Sequence, residues 1–200
     1  MTTFYLIRHG QTVFNVKGRI QGWCDSALTE LGVAQAKELG IKLKNYSFDT
    51  CFCSTSERAV DTAYYILGDR NIDIHPIKGL KEQCFGDFEA EYAKDVFKDN
   101  VSYPNGYRIC HGEDHNEVVE RFLLSLRKIA SEYPNANVLI VSHGSVIKHV
   151  INALEPGFIG EKIRTADLVP NCSVSCIKYS NSKFELLLKP CSFLDQKTLK

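Results

Sequence analysis

Apolar positions along the chain come in two rhythms. Four short, mostly apolar runs, Thr3–Arg8, Asp49–Cys53, Ile72–Ile77 and Asn137–Val141, are rich in β-branched or aromatic residues and predict strands. Elsewhere the apolar spacing widens to three and four. Leu31, Ala34, Leu39 and Leu43 predict a helix over Glu30–Leu43, with Thr29 as its N-cap. A second helix runs to Leu67 from a cap at Ser54 or Thr55. Glu113–Tyr133 is amphipathic, with Val118, Phe122, Leu123, Leu126 and Ile129 on one side, and Gly144–Leu154 follows the last strand as a helix. Val174–Tyr179 and Phe184–Leu188 flank Asn181-Ser182 as a hairpin. Asn15–Asp25 and Asp99–Gly112, polar and glycine-containing, predict loops. Leu80–Phe97 predicts a turn at Phe85-Gly86-Asp87 and then a short helix.

Strands alternating with helices predict an α/β fold, a three-layer α/β/α sandwich around a mainly parallel central sheet. The 200 residues predict a single domain over 1–200, with a small inserted specificity segment at about 85–112. A chain of this length buries roughly 70% of its unfolded surface and needs no metal or disulfide to fold. The 44% hydrophobic and 24% charged residues exclude disordered and low-complexity classes. Twenty-four basic residues balance twenty-four acidic ones, so no nucleic-acid footprint is visible and none is expected as a partner. The N-terminus lacks a basic region ahead of a long apolar run, which argues against a signal peptide. The apolar stretch Val138–Val150 is broken by Ser142, His143, Lys148 and His149, so no membrane partner is expected. A cytoplasmic chain with eight reduced cysteines follows, and their irregular spacing contains no CxxC pair. Cys110, His111, Glu113 and His115 form the densest metal-like cluster; the segment reads as an ordinary polar loop rather than a zinc site.

The chemistry collects at strand ends. Phe4–Gly10 and Val138–Gly144 each run from an apolar strand into His-Gly, at His9-Gly10 and His143-Gly144. In an open parallel sheet, ligands bind beyond the carboxyl ends of the strands, and each glycine allows close backbone approach. Arg8 precedes His9, and Asp49–Cys53 leads into the helix start that carries Arg58. Two arginines and two histidines at one edge repel one another unless an anion binds there, and guanidinium groups fit phosphate oxygens. A neutral imidazole can attack phosphorus, provided its other ring nitrogen has an acceptor such as a backbone carbonyl. Glu82, just after the third strand, is the candidate to protonate the leaving alkoxide. GxxxxGK[ST], GxGxxG and HExxH patterns do not occur.

These residues resemble the histidine phosphatase superfamily, its phosphoglycerate mutase-like branch. Arg8-His9-Gly10 corresponds to the RHG signature, Gly18–Asp25 to the phosphate-binding loop after Asn15, and Ser54–Ala63 to the second-arginine motif. Leu80–Glu89 corresponds to the acid motif and Ser142-His143-Gly144 to the second histidine. The resemblance implies a phosphoglycerate mutase-like fold, His9 as nucleophile and Glu82 as proton donor. It further implies that Arg8, Arg58 and His143 hold the phosphoryl group, with Asn15, Gln21, Gly22 and Gly144 as phosphate or substrate contacts. No metal and no cofactor is implied for hydrolysis. Where the family often has Trp-Glu-Gly after the acid motif, this chain has Phe88-Glu89-Ala90.

A phosphohistidine can pass its phosphoryl group to water or to a second substrate. Only 61 positions separate Glu82 from His143, a short insertion for this family. The expectation is a phosphomonoester hydrolase acting on a small phosphorylated metabolite. The alternatives are a 2,3-bisphosphoglycerate-dependent phosphoglycerate mutase and, in another class, an inactive binding module. Phe85, Phe88, Tyr92, Phe97, Tyr103 and Tyr107 in the specificity segment either stack on a substrate ring or pack that segment. Lys81, Lys94 and Lys98 are candidates to attract a second acidic group. The hairpin edge is a candidate homodimer contact.

Overall fold

A computed structural model describes residues 1–98, 103–160 and 165–192. Six strands form one sheet: β1 (Thr2–Arg8), β2 (Thr50–Ser54), β3 (Ile74–Ile77), β4 (Asn137–Ser142), β5 (Val174–Ser180) and β6 (Lys183–Cys191), in the order β3-β2-β4-β1-β5-β6. The first four run parallel. β5 is antiparallel to β1, and β6 is antiparallel to β5. The helices are α1 (Val13–Lys17), α2 (Glu30–Lys42), α3 (Glu57–Leu67), α4 (Ala93–Val96), α5 (His115–Glu132), α6 (Gly144–Leu154) and α7 (Thr165–Leu168).

The two-residue period of the strands divides the core. Tyr5, Ile7, Leu139 and Val141 face α2 and α3, where Ala36, Leu39, Ala59, Ala63 and Ile66 close the layer. Phe4, Leu6, Val138 and Ile140 face α5 and α6 and pack on Val118, Phe122, Leu126, Ile147 and Val150. Each such side chain stabilises the fold by about 1.5–3 kcal/mol on burial. Helices on both faces of a mainly parallel sheet make the α/β/α sandwich that the alternation predicts.

Several boundaries differ from expectation, for local reasons. Asn15 stands in a short helix rather than a loop, because Thr12 and Asn15 form a reciprocal capping box around α1. The N-cap of α3 is Ser56; Ser54 still pairs as the last residue of β2, and its hydroxyl accepts the Ser56 N–H. α5 begins at His115, because the Asp114 carboxylate accepts the Glu117 N–H and Glu117 answers in kind. The hairpin forms with Asn181 and Ser182 both at positive φ, and β6 extends to Cys191.

Residues 99–102 of the expected Asp99–Gly112 loop, and so of the segment at 85–112, lie outside the described residues. In the rest of that segment, Phe85, Tyr107 and Cys110 join Ile20 in a small third core, with Phe88 and Tyr103 against it. Among the described residues, no helix is long and apolar enough to cross a membrane.

Candidate active site

β1 and β4 are neighbours whose register pairs Arg8 with Ser142, so the two strands end level. His9 and His143, the next residue of each, therefore stand side by side, ring centroids 5.3 Å apart and edge to face. α3 starts beyond β2, on the other side of β4, and brings Arg58 to the same edge. Arg58 and His143 are fully buried, His9 is 2% exposed, Arg8 7% and Glu82 8%.

A cavity of about 1220 Å³ opens over this edge. Arg8, His9, Asn15, Gln21, Gly22, Arg58, Glu82 and Gly144 all line it. His143, fully buried, stands edge to face against His9 at the same strand end. The catalytic and phosphate-contact candidates from the sequence are thus gathered at one sheet edge.

The His9 Nδ1 lies 2.7 Å from the Gly10 carbonyl oxygen. An N–H at Nδ1 donates there, which leaves the lone pair on Nε2. Burial, then the charges of Arg58 and Arg8, holds the His9 imidazole well below its ordinary pKa, against the Gly10 hydrogen bond. Burial, Arg58, His9 and Arg8 act likewise on His143. Both rings are neutral at pH 7, as a nucleophilic imidazole requires. Burial pulls the Arg8 guanidinium down to about 10, still cationic at neutral pH, with Glu82 opposing the shift.

The two arginines are anchored differently. Arg8 donates to the Val169 carbonyl at 2.7 Å. Arg58 donates to the carbonyls of Gly22 and Cys24 and forms an ion pair with Asp25 at 2.7 Å. Asp25 was not singled out from the sequence, and it supplies Arg58 with a countercharge independent of any ligand. At this edge, Arg8 Nε, Arg58 Nε and both ring nitrogens of His143 are buried without a hydrogen-bond partner among the described residues. Each unmet buried polar group costs about 1–3 kcal/mol. Their convergence around His9 suits an oxyanion with several acceptor oxygens.

Glu82 lines the same cavity. Its Oε1 accepts from the backbone N–H of Gln83 and of Val146, at 2.9 and 2.8 Å, and its Oε2 accepts from Ser145 at 3.0 Å. The carboxylate thereby caps the first turn of α6 from outside. Oε2, with one bond, keeps a lone pair for a proton. The backbone around Glu82 is clamped in turn. Trp23 Nε1 donates to the Glu82 carbonyl at 2.9 Å, and Arg121 donates to the carbonyls of Gly79, Lys81 and Glu82. Arg121 also holds Glu113 through two bonds of 2.8 and 2.9 Å, and Glu113 accepts the Cys84 N–H.

Other supports are invisible in sequence spacing. Thr62 Oγ1 accepts the Gly10 N–H and donates to the Arg58 carbonyl, tying β1 to α3. Asn171 donates to the His9 carbonyl and to Asn15 Oδ1, which also accepts the Thr12 N–H. With Oδ1 occupied, the Asn15 amide has Nδ2 as its donor group, without a hydrogen-bond acceptor among the described residues. An added Cβ on Gly10 would meet the Gly32 carbonyl oxygen at 2.5 Å, so backbone contact requires glycine beside His9. Glu89 accepts from the N–H groups of Trp23, Cys24 and Phe85, which shapes the loop that grips Arg58.

The metal-like cluster disperses. Cys110 Sγ contacts the Tyr107 carbonyl, exposed His111 pairs with Asp87, Glu113 holds Arg121, and His115 stacks on His149. Of the segment's aromatics, Phe85, Phe97, Tyr103 and Tyr107 both pack together and line the cavity. Tyr92 instead lies beneath the Arg19 guanidinium.

Residues 4–191 match the model of the histidine phosphatase superfamily (branch 1). The chain is 32% identical over 189 residues to the uncharacterized phosphatase PhoE of Bacillus subtilis (strain 168), covering 93% of each. Its fold matches phosphoglycerate mutase from Bacillus anthracis str. Sterne with a TM-score of 0.83 at 28% identity, over 96% of this chain and 93% of that one. It matches phosphoserine phosphatase of Entamoeba histolytica, solved in complex with 3-phosphoglyceric acid, with a TM-score of 0.77 at 27% identity over 100% of both chains.

Proposed function

The chain belongs to branch 1 of the histidine phosphatase superfamily, and we propose that it hydrolyses phosphomonoesters of small metabolites through a phosphohistidine at His9. The observation that carries this reading is His9 itself. Its Nδ1 is tied to the Gly10 carbonyl, its ring is neutral, and the unpartnered donors of Arg8, Arg58 and His143 surround it.

In the proposed reaction, His9 Nε2 attacks phosphorus and a P–N bond forms as the ester P–O bond breaks. Arg8, Arg58 and His143 stabilise the equatorial oxygens, and Asn15 adds its amide N–H groups. The leaving oxygen takes a proton from Glu82. A water molecule then attacks the phosphohistidine and gives its proton to the Glu82 carboxylate, and phosphate leaves with the original His9 tautomer restored. Nucleophile, cationic clamp and proton donor are all side chains of this chain.

Transfer to water rather than to a second substrate is supported by the short stretch between Glu82 and His143. Retention of all five core groups supports an active enzyme over a binding module. The test is an assay of the metal-free protein against a phosphomonoester panel, with 3-phosphoglycerate assayed with and without 2,3-bisphosphoglycerate. Phosphate release without the bisphosphate is expected. Isomerisation to 2-phosphoglycerate only with the bisphosphate would make it a mutase, and silence on the whole panel would favour a binding role.

A further inference from the structure

Lys148 is one turn along α6 from Gly144 and lines the same cavity. Helical side chains lean toward the N-terminus of their helix. Lys148 does so, and its Nζ donates to Thr165 Oγ1 at 3.3 Å. The Thr165 methyl in turn stands over Gly144, where an added Cβ would meet that methyl at 2.6 Å and Arg8 Nε at 3.1 Å. The ammonium is therefore held toward the phosphoryl end of the cavity, not directed into solvent.

Among the described residues this cation is under-partnered. Among the described residues, Thr165 is its one hydrogen-bond partner, and no carboxylate forms an ion pair with it. Glu82 acts on it electrostatically, but the Glu82 oxygens are held by three backbone N–H groups. On the neighbouring wall, His149 stacks on His115 at 3.9 Å, and burial pushes the His149 imidazole down to about 3, so His149 is neutral at pH 7, and an imidazole offers the ammonium no countercharge. Burial likewise lowers the Lys148 ammonium from its ordinary range. A desolvated ammonium with one neutral acceptor is costly unless an anion reaches it.

We propose that Lys148, with Thr165, forms a subsite for a carboxylate carried by the substrate, beside the phosphoryl site. The proposal rests on the hydrolase reading and narrows it to short, carboxylated phosphomonoesters. From Gly144 to Lys148 the helix advances about 6 Å, and the side chain leans back, so the two anions lie within about 6 Å. That separation suits a three-carbon phosphorylated acid. Lys81, Lys94 and Lys98, the candidates from sequence, do not line this cavity.

The test compares 3-phosphoglycerate with glycerol 3-phosphate, which differ by a carboxylate in place of a hydroxymethyl group. kcat/KM is measured for both esters with the wild type, Lys148→Met and Lys148→Arg. Dissociation constants for both are measured by calorimetry on His9→Ala protein, with and without Lys148→Met. The wild type should prefer the carboxylated ester, Lys148→Met should shrink that preference about tenfold or more, and Lys148→Arg should keep most of it. The binding ratio should move in parallel. No preference in the wild type, or a ratio within about twofold after Lys148→Met, would overturn the subsite. If the wild type turns over no ester, the hydrolase reading fails, and the binding ratio on the His9→Ala background still decides the subsite by itself.

Discussion

Arg121→Met tests whether Glu82 works because its loop is clamped. The substitution keeps the aliphatic stem and removes five donated bonds: two to Glu113, and one each to the carbonyls of Gly79, Lys81 and Glu82. Arg121 and Glu113 are 22% and 18% exposed, so the pair is mostly buried. Breaking a buried pair costs about 3–5 kcal/mol, because the remaining charge loses its partner. Glu113 retains the Cys84 N–H and some water access, which points to the lower end, about 3 kcal/mol. For a chain of this size that is a fall in Tm of about 6–12 °C. The double variant Glu113→Gln/Arg121→Met leaves no unpaired charge and should recover about 1–2 kcal/mol.

The catalytic readout separates positioning from simple destabilisation. Well below the melting transition, a displaced Glu82 should slow an alkyl phosphate about tenfold more than p-nitrophenyl phosphate, whose leaving group needs little protonation. Glu82→Gln sets the scale for complete loss of the donor. Urea titrations and paired kcat/KM values on the two esters are the assays. A stability loss under about 1 kcal/mol, or equal slowing of both esters, would refute the clamp.

His9→Ala should abolish both turnover and any acid-labile phosphoenzyme in a rapid-quench experiment; surviving turnover would remove His9 from the nucleophile role. Folded His9, His143 and His149 all have pKa values below the ordinary 6.5, so the unfolded chain binds more protons below that pH. Their contribution to stability is complete above pH 6.5 and is lost as pH falls toward the folded values, by at most about 1.4 kcal/mol per pH unit per imidazole. The urea midpoint should therefore fall from pH 7 to 5, and a flat or rising midpoint would contradict the neutral pocket. Ala90 sits at φ 68°, so Ala90→Gly should relieve left-handed strain and raise stability by up to about 1 kcal/mol in the same titration; a loss of stability would refute the strain. EDTA should leave the hydrolysis rate unchanged after exhaustive dialysis, because the proposed chemistry runs on side chains alone.

Much of this molecule was legible in its sequence, for reasons that are local. Period-two and period-3.6 apolar spacing sets strands and helices, and strands alternating with helices leave few ways to bury both faces of a sheet. Two His-Gly pairs at strand ends are local features as well, and so are the motifs around Arg58 and Glu82. The caps of α3 and α5 shifted because several hydroxyls and carboxylates compete within a few residues, and only the settled backbone chooses among Ser54, Thr55 and Ser56. What tertiary structure decided is every relation across the chain. The level ends of β1 and β4 bring His9 beside His143, and the Arg58–Asp25 pair spans 33 positions. Asn171 reaches His9 across 162 positions, and Arg121 grips the loop of Glu82 across 39. Such contacts carry no periodicity, because they depend on strand order and register. Lys148 reads in the sequence as a polar break in an apolar helix. Only the folded cavity, with Thr165 beside it and no carboxylate paired with it among the described residues, makes it the candidate for a second anion.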